Sequence, residues 1–171
     1  MKKTVIFLLL FFSCFIVEAQ KFDSAFHYKI KNFDAAVFPK EYDRKLYDDT
    51  SIHLRFTPDT NQVIIAYKAL IDSIQRMPKY FFWQGHRHKS ETLLMLKKYI
   101  NTYKWQIFGC IDKNNHKLLL IVGFSPFFVD EEHFDWLKEE FYLDDGGCEY
   151  WQALYNLDTG QIIFFYCNGE A

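Results

Sequence analysis

The chain has 171 residues, 20% of them aromatic, with 20 basic and 22 acidic side chains for a formal charge of −2. That length suits one domain with a sizeable core. A slightly acidic balance with dispersed Lys and Arg excludes a surface built to neutralise nucleic-acid phosphates.

Met1-Lys2-Lys3 is a positively charged start, Val5 to Phe15 is mostly apolar, and Val17-Glu18-Ala19 places a small residue before Gln20. This is the anatomy of a secretory signal, so residues 1–19 are expected to be removed. The alternative is lipid attachment at Cys14, but Phe11-Phe12-Ser13 lacks the usual Leu and small residues, and the apolar run continues past Cys14. Plain cleavage is therefore preferred. Loss of Lys2, Lys3 and Glu18 takes basic residues from 20 to 18 and acidic from 22 to 21, moving the charge from −2 to −3. No later stretch approaches the ~20 uncharged apolar residues of a membrane span, and the mature chain is expected to be soluble, in the periplasm or outside the cell.

Residues 20–50 show no sustained period and are expected to be an irregular lead, with one short helix over Lys40 to Tyr47. The domain proper is expected over 51–171. Ser51 to Phe56 alternates and predicts a short strand. Thr57 and Pro58 then read as the cap and first position of a helix that carries Val63, Tyr67, Leu70, Ile71 and Ile74 to about Arg76, where Pro78 stops it. Lys79 to Lys89 is a loop or short extended piece. Ser90 caps a second amphipathic helix, with Leu93, Leu94, Leu96, Tyr99 and Ile100, ending near Thr102. Trp105 to Ile111 and Lys117 to Phe124 flank Asp112-Lys113-Asn114-Asn115 and predict a hairpin. Asp130 can cap a third helix, with Phe134, Leu137 and Phe141 inward.

Cys148 to Asn156 and Gln161 to Asn168 flank Leu157-Asp158-Thr159-Gly160 and predict a terminal hairpin. In its second arm alternation puts Ile162, Phe164 and Tyr166 on one face and Ile163, Phe165 and Cys167 on the other, so it belongs inside a larger sheet. The expected fold is α+β, an antiparallel sheet of about four strands from two hairpins, packed by two or three amphipathic helices. Cys148 and Cys167 lie at near-equal distances from the turn, and a favourable register would join them as a disulfide. The other reading keeps them, with Cys110, as small buried hydrophobes.

Arg55-Phe56-Thr57-Pro58 before a helix, Tyr103-x-x-Gln106-x-x-Gly109 entering a strand, Asp145-Gly146-Gly147 before an aromatic strand and the closing Asn168-Gly169-Glu170-Ala171 follow one another along the chain. In these motifs, from Arg55 to its end, the chain resembles a group of small exported bacterial proteins of uncharacterised function. It departs from their pattern at Trp105 and Ile107, where Arg and Tyr are expected. The resemblance implies export and a shared fold, and brings no catalytic residues.

Candidate chemistry is sparse. His86 and His88, beside Trp83, could offer two imidazoles to a metal, though an exposed basic loop is the simpler reading. Asp144 and Asp145 before Gly146-Gly147 could act as acid and base or hold a cation, but Asp and Gly are what a turn requires. Gln106 and Gln152 could orient a ligand by their amides, and Trp83, Trp105, Trp136 and Trp151 could form an aromatic platform, although core packing is the usual fate of Trp. The ligand-binding candidates are thus Trp83, His86, His88, Gln106, Asp145 and Trp151. No nucleophile elbow, phosphate loop, His-Glu-x-x-His helix or EF-hand loop is present, and no cofactor is implied. The favoured expectation is a non-catalytic envelope domain binding a protein or other envelope ligand. The alternatives are a small hydrolase or metal-dependent enzyme using Asp144, Asp145, His86 or His88, and an inhibitor or immunity partner of a secreted toxin.

Overall fold

Strand Lys104–Asp112 organises the molecule, because three other strands share its two edges. The computed structural model describes residues 24–42, 52–77, 82–83, 86–87, 90–132, 134–144 and 146–168. In chain order the elements are β1 (Phe26–Ile30), β2 (Phe33–Phe38), β3 (Ile52–Phe56), α1 (Thr60–Arg76), β4 (Phe82–Trp83), β5 (His86–Arg87), α2 (Ser90–Tyr99), β6 (Lys104–Asp112), β7 (Lys117–Phe124), α3 (Phe127–Glu132), β8 (Tyr150–Asn156) and β9 (Gln161–Cys167). The main sheet runs β1-β2-β6-β7-β8-β9, with β3 also on β6, and β4 pairs with β5 apart from it. The expected signal segment 1–19, with Cys14, lies outside the described residues.

The expectation of about four antiparallel strands is corrected to a seven-stranded, mixed sheet. Both expected hairpins are there, as β6–β7 and β8–β9, and β7–β8 joins them. What the expectation lacked was the other edge of β6. Along its first half, Lys104 to Phe108, it takes β2 in parallel, and from Gly109 to Asp112 it takes β3 antiparallel. The stretch expected to be an irregular lead therefore supplies β1 and β2, a hairpin turned at Lys31-Asn32. Of the expected helix Lys40 to Tyr47, the described part is a turn closed by Tyr42 N–H on the Pro39 carbonyl, and the rest lies outside the described residues.

One face of the sheet is covered by helices. Val63, Ala66, Leu70 and Ile74 of α1 and Leu93 and Leu96 of α2 join Val37, Trp105, Ile107, Ile121, Trp151 and Phe165 in one core. The cap of α1 is Asp59 rather than Thr57: its carboxylate accepts from Gln62 N–H while Gln62 Oε1 accepts from Asp59 N–H, a reciprocal box that moves the start two residues on. Gly123 lies opposite Trp151 in the register of β7 and β8, and the indole fills the space that a Cβ at position 123 would need.

The opposite face is covered without a long helix. The third helix expected after Asp130 is corrected: α3 begins earlier, after Ser125-Pro126, and ends at Glu132. Residues 134–143 cross the sheet as a strap of turns, laying Phe134, Trp136, Leu137 and Phe141 over Phe38, Phe108, Val122 and Phe124. Each large apolar side chain fully buried there contributes about 1.5–3 kcal/mol. A bulge also re-sorts β9. Leu154 pairs Phe164 and Tyr155 pairs Ile162, so Ile163 is skipped and 53% exposed. The strict alternation expected for this arm is thereby corrected: Ile162 packs on the helix side with Phe165 and Cys167, and Phe164 on the strap side.

Candidate functional site

The residues singled out for chemistry scatter. Trp83 and His86 are backbone partners in the short β4–β5 ladder, and their side chains, like all of His88 and Asp145, lie outside the described residues. Asp144 is exposed, its carboxylate taking the Tyr142 hydroxyl at 2.6 Å. Trp151 and Trp105 are fully buried under the helices, edge to face at 4.8 Å, while Trp136 is buried on the strap side. No aromatic platform gathers from these three. Gln106 is also fully buried, and its amide is saturated: Nε2 donates to the carbonyls of Trp136 (2.8 Å) and Glu139 (2.7 Å), and Oε1 accepts the Phe141 N–H (2.7 Å). Gln152 donates to the Tyr150 hydroxyl at 2.8 Å. Among the described residues no three His, Cys, Asp or Glu side chains meet at metal-binding spacing.

Concavity and exposed apolar surface coincide at the corner where α2 ends, β7 leaves the sheet and β8 enters it. There a groove of about 310 Å³ opens between Met95 and Tyr99 of α2 and Phe127 of α3, with Tyr103 and Cys148 beneath and Glu149 at its margin. The local sequence fixes each wall. Leu93, Leu96 and Ile100 use the inward stripe of α2 and the 3₁₀ turn after it, leaving Met95 52% and Tyr99 38% exposed. Ser125-Pro126 turns the chain so that Phe127 stands out, 56% exposed. Gly146 and Gly147, at φ of 107° and 55°, make the left-handed turn that brings the 3₁₀ segment Gly147–Glu149 across the corner. Ser125 N–H donates to the Glu149 carbonyl at 2.8 Å, and the Tyr103 hydroxyl donates to the Cys148 carbonyl at 3.1 Å. Burial, and then the Glu149 charge, push the Tyr103 phenol far above its ordinary pKa, so it remains a neutral donor.

Cys148 is joined to Cys167 at the end of β9, with their Cα atoms 4.7 Å apart. Cys110 is a buried thiol outside that disulfide.

No protein-family model matches the chain, and no curated protein or solved structure does either.

A polar cluster lies on the strap side of the sheet, across β1, β2 and the start of β6. Asp34 takes His27 Nε2 at 2.6 Å on one carboxylate oxygen and Lys104 Nζ at 2.7 Å on the other, with Lys29 at 3.8 Å. Lys104 also stands 5.1 Å over the Trp136 ring, and the His27 ring meets Trp136 edge-on at 5.5 Å. Both Asp34 oxygens are committed, so the cluster ties β1, β2 and β6 to the strap. A second, more open groove lies between the end of α1 and β9, where Arg76 and Asp72 hold each other at 2.8 Å beside Ile163 and Phe164. The first groove has the stronger claim, since its apolar rim is unspent while its floor is rigidly held.

Sequence reasoning passed over Met95, Phe127 and Glu149, and its placing of Leu94 and Tyr99 on the packed stripe of α2 is corrected, since they are 53% and 38% exposed. The available signal was a surplus of apolar residues on α2: once Leu93, Leu96 and Ile100 satisfy the sheet, Leu94, Met95 and Tyr99 have no core to enter.

Proposed function

We propose that the chain is an exported, non-catalytic binding domain that takes its ligand in the groove between α2 and α3. The observation carrying this reading is the coincidence of Met95, Tyr99 and Phe127, each more than a third exposed, around a concavity whose floor is held by Tyr103 and the Cys148–Cys167 link. Exposed apolar side chains scattered singly need no explanation, whereas three converging on a concave site mark a place where contact is made. Export is supported by the charged and apolar start of the sequence, by the resemblance to small exported bacterial proteins, and by the cysteine pair, which suits an oxidising compartment.

The test is photo-crosslinking in the native host with p-benzoylphenylalanine placed at Tyr99 or, as a control, at Asn114 on the exposed β6–β7 turn. The expected result is a discrete adduct from position 99, absent at 114 and lost on Phe127→Asp. Equal labelling from both positions would overturn the reading. Mass spectrometry of the recovered protein is expected to find Gln20 as the first residue.

A further inference from the structure

The chemistry of the groove points to what fills it. Among the described residues that line it, Glu149 carries the only charge, is exposed and makes no ion pair. Around it stand the rings of Tyr99 and Phe127 and the thioether of Met95, soft and polarisable surfaces that receive cations and apolar groups. Tyr99 holds the Lys98 ammonium 4.8 Å from its ring centroid, which shows that this ring receives a cation. We propose that the groove binds an arginine side chain flanked by apolar residues in a peptide segment of a partner protein, an inference that rests on the binding reading above.

Magnitudes choose this occupant over a free small cation. One exposed carboxylate contributes at most about 1 kcal/mol to an ion pair, too little to retain a solvated ammonium, so most of the affinity has to come from Met95, Tyr99 and Phe127. The occupant therefore carries apolar groups beside its charge. Arginine fits better than lysine because its guanidinium is planar, weakly hydrated and stacks on aromatic rings. A volume of about 310 Å³ stands at the low end for ligand sites, the size of a side chain and its neighbours rather than of a cofactor. An anionic ligand would meet Glu149 with no cationic side chain among the described lining residues to offset it.

The experiment uses the mature chain with ¹³C-methyl methionine, following the Met95 methyl resonance by NMR. The probes are three capped peptides, acetyl-Leu-Arg-Phe-amide, the same peptide with citrulline, a neutral isostere, in place of arginine, and the same peptide with glutamate there. The arginine peptide is expected to shift the Met95 methyl with a Kd about threefold to fivefold below that of the citrulline peptide, as one partly exposed carboxylate allows. Glutamate is expected to bind weakest. Glu149→Gln should erase the arginine preference. If arginine and citrulline peptides bind alike, or if Glu149→Gln keeps the preference, the arginine inference falls and the groove reading stands. If none of the peptides moves the Met95 methyl of a chain whose methyl spectrum is dispersed, both fall.

Discussion

Asp34 contributes to the acid response of this fold. Its carboxylate is desolvated by burial, which works to raise its pKa, yet the hydrogen bonds and charges of Lys104 and His27 outweigh that and hold it below the usual carboxylate range. A depressed carboxylate contributes stability that is present above its unfolded pKa of about 3.9 and is lost as pH falls through the lower folded value. Stability should therefore decline as pH is lowered from about 5 toward 2, with Asp34 supplying part of the slope. Asp34→Asn cannot be protonated in that window, and it leaves Lys104 and His27 without their anion. The variant is expected to be less stable than wild type at neutral pH and to show a shallower fall on acidification, read as urea midpoints across that pH range. Parallel curves for the two proteins would show that the cluster does not couple to folding.

Among the elements, the strap over residues 134–143 depends on one side chain of another. Gln106, at the centre of β6, holds two strap carbonyls and one strap N–H, groups that a helix would have paired within itself. Tyr42 adds its hydroxyl to the Glu140 N–H at 3.0 Å, and Ala25 N–H donates to the Leu137 carbonyl at 2.6 Å. Gln106→Leu keeps the volume roughly and strips all three bonds, so it is expected to cost about 3 kcal/mol in urea unfolding, against less than about 1 kcal/mol for Gln152→Leu. Similar losses at both positions would mean that the strap is held by its aromatic side chains alone. The same residue shows where sequence reading stops. Features settled within a few residues were legible: the turns at Asp112 to Asn115 and Leu157 to Gly160, the pairing of the hairpins they close, the end of α1 at Arg76. The strand β2 was not, since Phe33-Asp34-Ala35-Ala36-Val37-Phe38 is covered on both faces and so shows no alternation, and its parallel partner lies some seventy residues on. The strap groups that Gln106 meets are thirty or more residues away, so its amide read as a ligand contact. The groove shares that limit, because Met95, Phe127 and Glu149 become neighbours only after the sheet has formed.

On the scale of the whole molecule, the sheet is closed at the groove corner by a covalent tie. Cys148 sits in the 3₁₀ turn that enters β8 and Cys167 at the end of β9, 19 residues apart. The strands between them are already a hairpin, so the link chiefly fixes the ends of both arms, together with the wall that carries Glu149 and accepts the Tyr103 hydroxyl. Closing a loop of this length restricts the unfolded chain by about 3 kcal/mol. For a chain of this size that corresponds to a fall in Tm of about 6–12 °C on reduction or in Cys148→Ser/Cys167→Ser. Thiol counting on the mature chain separates this from loss of packing alone. Cys110 is buried and lies outside the disulfide, so unfolding in denaturant without reductant should expose one reactive thiol, and prior reduction should expose three. Native-state hydrogen exchange should then locate the loosening, with faster exchange at the Ser125 and Glu149 amides of the groove wall and little change at Ile107 or Ile121 in the centre of the sheet. Three thiols reacting without reductant, or a Tm indifferent to reduction, would leave the wall held by hydrogen bonds alone and remove the cysteine pair from the case for export.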